Sequence, residues 1–198
     1  SSSELPMPLV LASGSPRRRE LLANAGLDFS ICSIPIDESP IDNEAPVNMA
    51  SRLAREKAQA VASQHDKRAL ILGADTIVIL DQLVLGKPTG PEDAVRTLEL
   101  LSGRRHQVVT AFAITVSPEA VDWSIRSVIT RVYFRPLERQ QIEAYVATGE
   151  PLDKAGSYGI QGLGGKLIER IEGSYSNVVG LPLVEVKECI ARMGGQEL

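Results

Sequence analysis

The apolar residues of this chain follow two spacings, which predict strands and helices in alternation. Residues 9–12 (LVLA) are a short apolar run typical of a buried strand, and residues 69–80 (ALILGADTIVIL) form a longer run of the same kind. Residues 107–116 and 124–134 are predicted to be two long strands, joined as a hairpin by a turn around residues 117–119. Because helices separate the earlier strands and a turn joins the last two, we expect a mixed sheet.

Four stretches have the apolar spacing and the boundary residues of helices. The first begins at Pro16, after the N-cap residue Ser15, and closes at Gly26. The others cover residues 47–63, 91–101 and 137–148. The predicted fold class is therefore α/β, with a mixed sheet and flanking helices.

Composition and charge narrow the class of protein. With 198 residues, 43% of them hydrophobic, the chain can bury a sizeable core as one compact unit. A net charge of −4 disfavours a nucleic-acid-binding protein, because such domains usually carry a basic face. Cys32 and Cys189 have no CxxC spacing, so we expect two reduced thiols in a cytoplasmic protein.

The ends of the chain add little chemistry. Residues 1–8 lack the basic region and apolar core of a signal peptide, and we interpret them as a disordered tail or a cloning remnant before a single domain, residues 9–198. No apolar run is long enough to span a membrane, so we expect no membrane partner.

Three arginines in the first turn of the first helix indicate an anion site. Arg17, Arg18 and Arg19 lie at the positive end of the helix dipole, which disfavours each cation by up to about 1 kcal/mol. A bound phosphate would offset this cost, taking hydrogen bonds from backbone N–H groups and from Ser13 or Ser15. Helical spacing directs Arg17 and Arg18 toward the protein body and Arg19 toward solvent.

Two acids and two lysines extend this candidate site. Asp75 interrupts the apolar strand 69–80, so we expect it to cap a turn or to face a base, a hard metal ion or an ammonium group. Glu38 follows Asp37 in an acidic loop after the strand-like stretch 29–36, a feature that carries little weight alone. Lys57 could point into a cleft, although snorkelling to solvent is the favoured interpretation, and Lys87 precedes Pro88 in a loop. Together these residues could hold a polyphosphate with a divalent cation.

The stretch from residue 153 to 175 is rich in glycine but is not a P-loop. Position 160 is Ile where the motif needs its first glycine, and Leu167 follows Lys166 where it needs Ser or Thr. The stretch is either a glycine-rich turn or a segment whose backbone approaches a ligand closely. Gln161 offers an amide that matches the edge of uracil or thymine, but a flipped amide would also accept cytosine.

Seven motifs in this order resemble the Maf family of nucleoside triphosphate pyrophosphatases over nearly the whole chain. The motifs are SGSPRRRELL (13–22), IDES (36–39), LAREKA (53–58), GADT (73–76), GKP (86–88), GEPLDKAGSYGIQG (149–162) and GSYSNVVGLPL (173–183). The GADT and YGIQG versions are similar to the branch that acts on dTTP and UTP rather than the branch that acts on 7-methyl-GTP.

The resemblance implies a Maf- or ITPase-like catalytic domain with two lobes around a central cleft, often as a homodimer. It implies hydrolysis of dTTP and UTP between the α and β phosphates, giving the monophosphate and pyrophosphate, with Mg²⁺ or Mn²⁺ as cofactor. In the family pattern Asp75 is the catalytic carboxylate, Arg17, Thr76 and Gln161 are specificity positions, and Glu38, Lys57 and Lys87 match further active-site positions. Our interpretation of the residues agrees: Glu38 and Asp75 would hold the metal, while Arg17, Lys57 and Lys87 would neutralise phosphate charge.

Two alternatives stay open from the sequence. The enzyme could act on another or modified nucleotide, because several pyrimidines nearly share the edge that Gln161 and Thr76 would recognise. The chain could also bind a nucleotide as a regulator of cell division, a link that the resemblance suggests.

Overall fold

The computed structural model describes residues 5–198, so the first four residues of the predicted tail lie outside the described residues. The strands in this part of the chain are β1 (Leu9–Leu11), β2 (Ser30–Ile31), β3 (Ala69–Leu80), β4 (Leu83–Leu85), β5 (Arg105–Ser117), β6 (Trp123–Phe134) and β7 (Ile168–Glu172). The helices are α1 (Pro16–Asn24), α2 (Pro46–Ala62), α3 (Pro91–Leu101), α4 (Arg139–Ala147), α5 (Tyr175–Val179) and α6 (Leu183–Arg192). Short 3₁₀ helices cover Glu150–Asp153, Ala155–Ser157 and Gly162–Leu167.

The strands form one mixed sheet with the order β2-β1-β3-β5-β6-β7, and β4 pairs with β3 outside this path. β1 pairs in parallel with both β2 and β3, with Val10 opposite Ser30 and Ile71. β4 and β7 pair antiparallel with β3 and β6. The predicted α/β class with a mixed sheet is confirmed, because β1 pairs in parallel with its two neighbours while β4 and β7 pair antiparallel with theirs.

The boundaries of several elements agree with the sequence pattern. β3 and α3 match their predicted ranges, and α2 begins one residue earlier than predicted. Ser15 is the N-cap of α1 and its side chain accepts a hydrogen bond from the Arg18 N–H. Gly26 follows the end of α1 at a φ of 82°, a backbone conformation that favours glycine. Strong local signals thus decided these elements.

Two predicted elements are shorter in the structure. β2 covers two residues of the strand-like stretch 29–36 because its neighbour β1 ends at Leu11, whose carbonyl accepts the last bond from the Cys32 N–H at 3.0 Å. Pro35 also removes a backbone donor from this stretch. α4 begins at Arg139 rather than 137, because the N-cap residue Glu138 has an extended backbone, and before it the Leu137 N–H donates to the Ser102 hydroxyl at 2.7 Å. In both cases a partner distant in sequence sets the end.

The chain divides into two compact units, each with its own core. The first contains the described residues through Asp75, Thr110–Ser127 and Gly180–Leu198; the second contains Thr76–Val109 and Val128–Val179. The largest fully buried side chains of the first unit are Leu9, Leu11, Leu22, Leu70, Ile71, Leu72, Phe112 and Ile114. Those of the second unit are Leu98, Leu101, Phe134 and Ile142.

Three further observations concern the remaining sequence features. Met7 donates its N–H to the Gly194 carbonyl at 2.9 Å, so part of the stretch before β1 is hydrogen-bonded. Cys32 and Cys189 are free thiols, as expected. None of the helices within residues 5–198 has the length and apolar character that crossing a membrane requires.

Candidate active site

Asp75 lies in the middle of β3, and helix α2 packs directly against the strand at this level. Gly73 makes the close approach possible, since a Cβ at this position would lie 2.3 Å from the Ala54 carbonyl oxygen and 2.8 Å from the Ala58 nitrogen. Lys57 precedes Ala58 on α2 and is therefore brought to Asp75, two residues after Gly73. Gly73, which has no side chain, thus allows Lys57 and Asp75 to come together.

Lys57 is the counter-charge of Asp75 and also contacts Glu38. Its Nζ lies 3.0 Å from Asp75 Oδ1 and 3.2 Å from Glu38 Oε1, and it donates to the Ala74 carbonyl at 3.3 Å. The Asp75 side chain is 13% exposed and the Glu38 side chain 58%. Of the partners considered for Asp75, the structure has the ammonium group. The favoured interpretation of Lys57 as a snorkelling surface residue is wrong, because an ion pair on the strand holds the side chain inward.

The turn between β1 and α1 collects hydroxyl and guanidinium groups. Ser13 is buried, and its Oγ accepts from the Ser15 N–H at 3.2 Å. The Ser15 Oγ accepts from the Arg18 N–H at 3.3 Å, which caps the helix. Arg18 donates from Nε to the Gly180 carbonyl at 2.7 Å and from Nη1 to Ser13 Oγ at 3.5 Å. Arg18 thus also ties this turn to the segment before α6.

The orientation of the three arginines agrees with the helical spacing. Arg17 and Arg18 are half-buried and Arg19 is exposed. Burial, together with the positive charge of Arg17, outweighs the raising effect of Asp75 and Glu38 and lowers the pKa of Arg18 to about 10. Arg18 therefore stays cationic at neutral pH, with acids and another cation close enough to influence it.

A pocket joins the two groups of residues within the first unit. It is lined by residues 12–14, 33–36, Glu38 and Lys57. Ser13, Glu38 and Lys57 of the predicted site thus share one concave surface. A pocket with hydroxyl, carboxylate and ammonium groups has the chemistry for a phosphate ester and its counter-ion.

Thr76, Lys87 and Gln161 belong to the second unit. Thr76 follows Asp75 on β3 and is partly buried, whereas Lys87 and Gln161 are exposed. The Gly156 N–H donates to the Gly86 carbonyl at 3.2 Å, so the loop that carries Lys87 contacts the glycine-rich segment that carries Gln161.

The glycines of this segment allow close packing of protein against protein. A Cβ at Gly164 would lie 2.0 Å from the Gly159 carbonyl oxygen, and one at Gly156 would lie 2.9 Å from the Val78 side chain. Tyr145 Oη accepts from the Gly159 N–H at 3.2 Å, and Glu150 Oε2 accepts from the Gly164 N–H at 3.0 Å. These bonds flank Gln161 on both sides and fix the backbone beside it.

The oxygen donors of the first unit fit a magnesium or manganese ion. Both ions prefer oxygen ligands, and Mg²⁺ usually takes one or two protein carboxylates, with waters and substrate phosphates completing its shell. The carboxylates of Glu38 and Asp75 both contact the same atom, Lys57 Nζ, so they converge on one position where an ion could bind. Residues 5–198 contain no group of three or more His, Cys, Asp or Glu side chains arranged for a metal ion. Two carboxylates match the one or two that Mg²⁺ usually takes from a protein.

Several residues that support the site were missed by sequence reasoning. Arg52 binds Glu44 through Nε at 2.8 Å, next to the loop of Glu38. Tyr145 and Glu150 hold the segment of Gln161. Arg52 directly precedes the LAREKA motif and Glu150 lies inside the motif that begins GEPLDKAG, so the sequence places both residues beside or within motifs of the candidate site. Their partners were not visible, because sequence separation does not reveal contacts across loops.

The comparison with known proteins gives a consistent result. A model of the Maf-like protein family matches residues 8–193. A dTTP/UTP pyrophosphatase of Geobacter sulfurreducens is 51% identical over 94% of this chain and 96% of its own. The protein of the same name from Shewanella denitrificans is 52% identical over 96% of this chain and 98% of its own. The one from Moorella thermoacetica is 54% identical over 94% of this chain and 95% of its own. The chain belongs to the Maf-like protein family.

Proposed function

We propose that this chain hydrolyses nucleoside triphosphates, with dTTP and UTP as substrates, to the nucleoside monophosphate and pyrophosphate. The observation that carries the proposal is the identity of 51–54% to relatives named dTTP/UTP pyrophosphatase, over at least 94% of this chain. The ion-paired acids beside a pocket support it, because phosphoryl transfer is catalysed by positioned charge rather than by a covalent nucleophile.

In the proposed reaction Asp75 accepts a proton from the attacking water. The water oxygen forms a bond to the α phosphorus, and the bond from this phosphorus to the oxygen bridging to the β phosphorus breaks. Pyrophosphate leaves with that oxygen, and the monophosphate keeps the water oxygen. The position of Asp75 supports this role. The strand around it is apolar, so keeping a charge there costs desolvation free energy even with Lys57 as its partner, and a catalytic role would explain why the charge is present.

The cations and hydroxyl groups have complementary roles in the proposal. Lys57, Arg17 and Lys87 neutralise charge on the phosphates, while Arg18, Ser13 and Ser15 bind phosphate oxygens at the start of α1. Thr76 and Gln161 contact the pyrimidine. What supports the phosphate roles is the clustering of Ser13, Ser15, Arg17 and Arg18 around one helix N-terminus.

Glu38 and Asp75 would hold a Mg²⁺ or Mn²⁺ ion. When bound, such an ion supplies positive charge that stabilises the phosphates and makes water a better nucleophile. With these carboxylates engaged by such an ion, Lys57 would be free to turn to the substrate, because its stem is flexible.

The test is product analysis with each standard and several modified triphosphates, with and without Mg²⁺ or Mn²⁺. We expect pyrophosphate from dTTP and UTP, loss of turnover with a chelator, and, in heavy-oxygen water, the label in the monophosphate. Asp75→Asn should lower the rate by about 10² to 10⁴. Asp81→Asn is the matched control, because Asp81 directly follows β3 but is exposed and pairs with Arg104. Orthophosphate as first product, or a fully active Asp75→Asn enzyme, would contradict the proposal.

A further inference from the structure

The loop between β2 and α2 carries Glu38 but has little regular structure of its own. Residues 32–45 form no strand or helix, and most of their side chains are exposed. The Glu38 carboxylate nevertheless lies 3.2 Å from Lys57 Nζ on α2. Because an irregular exposed loop samples many conformations, something must hold Glu38 at this place.

Arg52 on α2 contacts this loop at two points. Its Nε and Nη2 donate to the Glu44 carboxylate at 2.8 and 3.0 Å, a bidentate pair at the end of the loop next to the helix. Nη2 also donates to the Ser39 carbonyl at 3.4 Å, one residue after Glu38. Nη1 donates to Glu56, one helical turn further along α2. One guanidinium therefore connects both ends of residues 39–44 to the helix.

The turn around Ser39 transmits this contact to Glu38. Asp37 Oδ1 accepts from the Ser39 N–H at 2.9 Å and from the Ser39 hydroxyl at 2.5 Å. Glu38 lies between these two residues, so its backbone is fixed when the Ser39 carbonyl is held. Arg52 and Lys57 lie on the same helix, and their distance along it is constant. Arg52 thus holds the loop backbone, Lys57 holds the Glu38 carboxylate, and the helix fixes the two contacts relative to each other.

From these contacts we infer that Arg52 is a positioning residue for Glu38, acting through Ser39 and Glu44 and not by touching the substrate. The inference rests on the role of Glu38 in the proposed function. The Arg52 side chain is 20% exposed, and the hydrogen bonds that it donates to Glu44 raise the pKa of Arg52, so the guanidinium stays charged. Removing it would leave Glu44 and Glu56 without their shared cation as well as loosening the loop.

A double-mutant cycle between Arg52→Gln and Glu38→Gln tests the inference. In the unmodified background Arg52→Gln should lower kcat/KM about tenfold and raise the Mn²⁺ concentration for half-maximal activity. In the Glu38→Gln background Arg52→Gln should lower kcat/KM by less than about twofold, because the carboxylate that Arg52 positions is already lost. Arg52→Lys should restore little, since an ammonium cannot make the bidentate contact. Equal losses in both backgrounds would overturn the inference.

Arg55→Gln is the matched control on the same helix. Arg55 is exposed and lies over the Trp123 ring, 4.9 Å from its centroid. We expect it to leave kcat/KM and the Mn²⁺ dependence unchanged. Hydrogen exchange at residues 37–45 gives a readout without catalysis: Arg52→Gln should speed it and Arg55→Gln should not. Unchanged exchange overturns the inference whatever the activity, while a chain that releases no pyrophosphate overturns the proposed function by itself.

Discussion

Asp75 shows how a single charged residue is accommodated in an apolar strand. It follows buried Ala74 and lies two residues before buried Ile77, where an unpaired carboxylate would cost several kcal/mol. Lys57 supplies the counter-charge, and the remaining exposure of the carboxylate keeps part of its hydration. Such a largely buried pair contributes little net stability, because the desolvation of both charges offsets their attraction. Its position is better explained by the chemistry we propose for it.

Arg17 and Arg19 give a matched pair of substitutions at the residue scale. If half-buried Arg17 holds phosphate, Arg17→Ala should lower kcat/KM by about 30-fold or more, the scale of a lost charge-assisted contact, while exposed Arg19→Ala should have almost no effect. Without ligand, Arg17→Ala should be no less stable, because it removes a cation from the positive end of α1 and from beside Arg18. Steady-state kinetics and thermal melts check both; equal activity losses in the two variants would mean that Arg17 has no special role.

At the scale of elements, the contact between α2 and β3 is the decisive one. The helix carries Lys57 and Arg52, and the strand carries Asp75. The two elements meet where Gly73 leaves room for the α2 backbone. The position of α2 on β3 therefore depends on glycine, which has no side chain, at residue 73.

Gly73→Ala tests this dependence. The added methyl must push α2 away, because backbone atoms at 2.3 and 2.8 Å cannot yield as a flexible side chain would. We expect a loss of about 1–3 kcal/mol in the free energy of unfolding and, since the Lys57–Asp75 contact is displaced, about a hundredfold loss of activity. Gly90→Ala is the control, with nothing within 4 Å of its Cβ and an expected cost below about 1 kcal/mol at a helix N-cap. Denaturant unfolding and kinetics measure both; a Gly73→Ala enzyme with normal activity would refute the argument.

At the scale of the whole molecule, stability toward acid should depend on a buried histidine of the second unit. His106 lies in β5 with Nε2 2.6 Å from Tyr158 Oη and its ring edge-on to Phe134. Within residues 5–198 its Nδ1 has no hydrogen-bond partner. Burial lowers the pKa of His106 to about 4, so the folded protein holds this side chain neutral.

The depressed pKa sets the direction of the pH dependence. The unfolded chain binds a proton near pH 6.5 and the folded protein near pH 4, so the contribution is complete above pH 6.5 and lost as the pH falls toward 4. The loss from this group should be at most about 3 kcal/mol. His106→Gln should flatten the curve between these values, and His106→Asn serves as a second variant if the first folds poorly. Urea unfolding from pH 8 to 4 gives the difference; parallel curves for variant and unmodified protein would contradict the assignment.

Local patterns were sufficient to predict much of this protein. The sequence alone determined the α/β class, the mixed sheet, the ranges of β3 and α3, the cap at Ser15 and the outward direction of Arg19. These depend on hydrophobic period, turn residues and helix geometry, all of which act between neighbours along the chain. The sequence also indicated Asp75 as exceptional, because a charge within an apolar run is visible without coordinates.

The tertiary structure decided which groups meet. It paired Asp75 with Lys57 rather than leaving that lysine in solvent, and it connected Arg52 to the loop of Glu38. It also shortened β2, since the length of a strand depends on its neighbour. Helix α6 was not predicted, although its apolar spacing is readable, because Pro182 before it also suits a loop. Except for α6, these features arise from contacts between residues distant in sequence, and such contacts depend on packing, which no local period encodes.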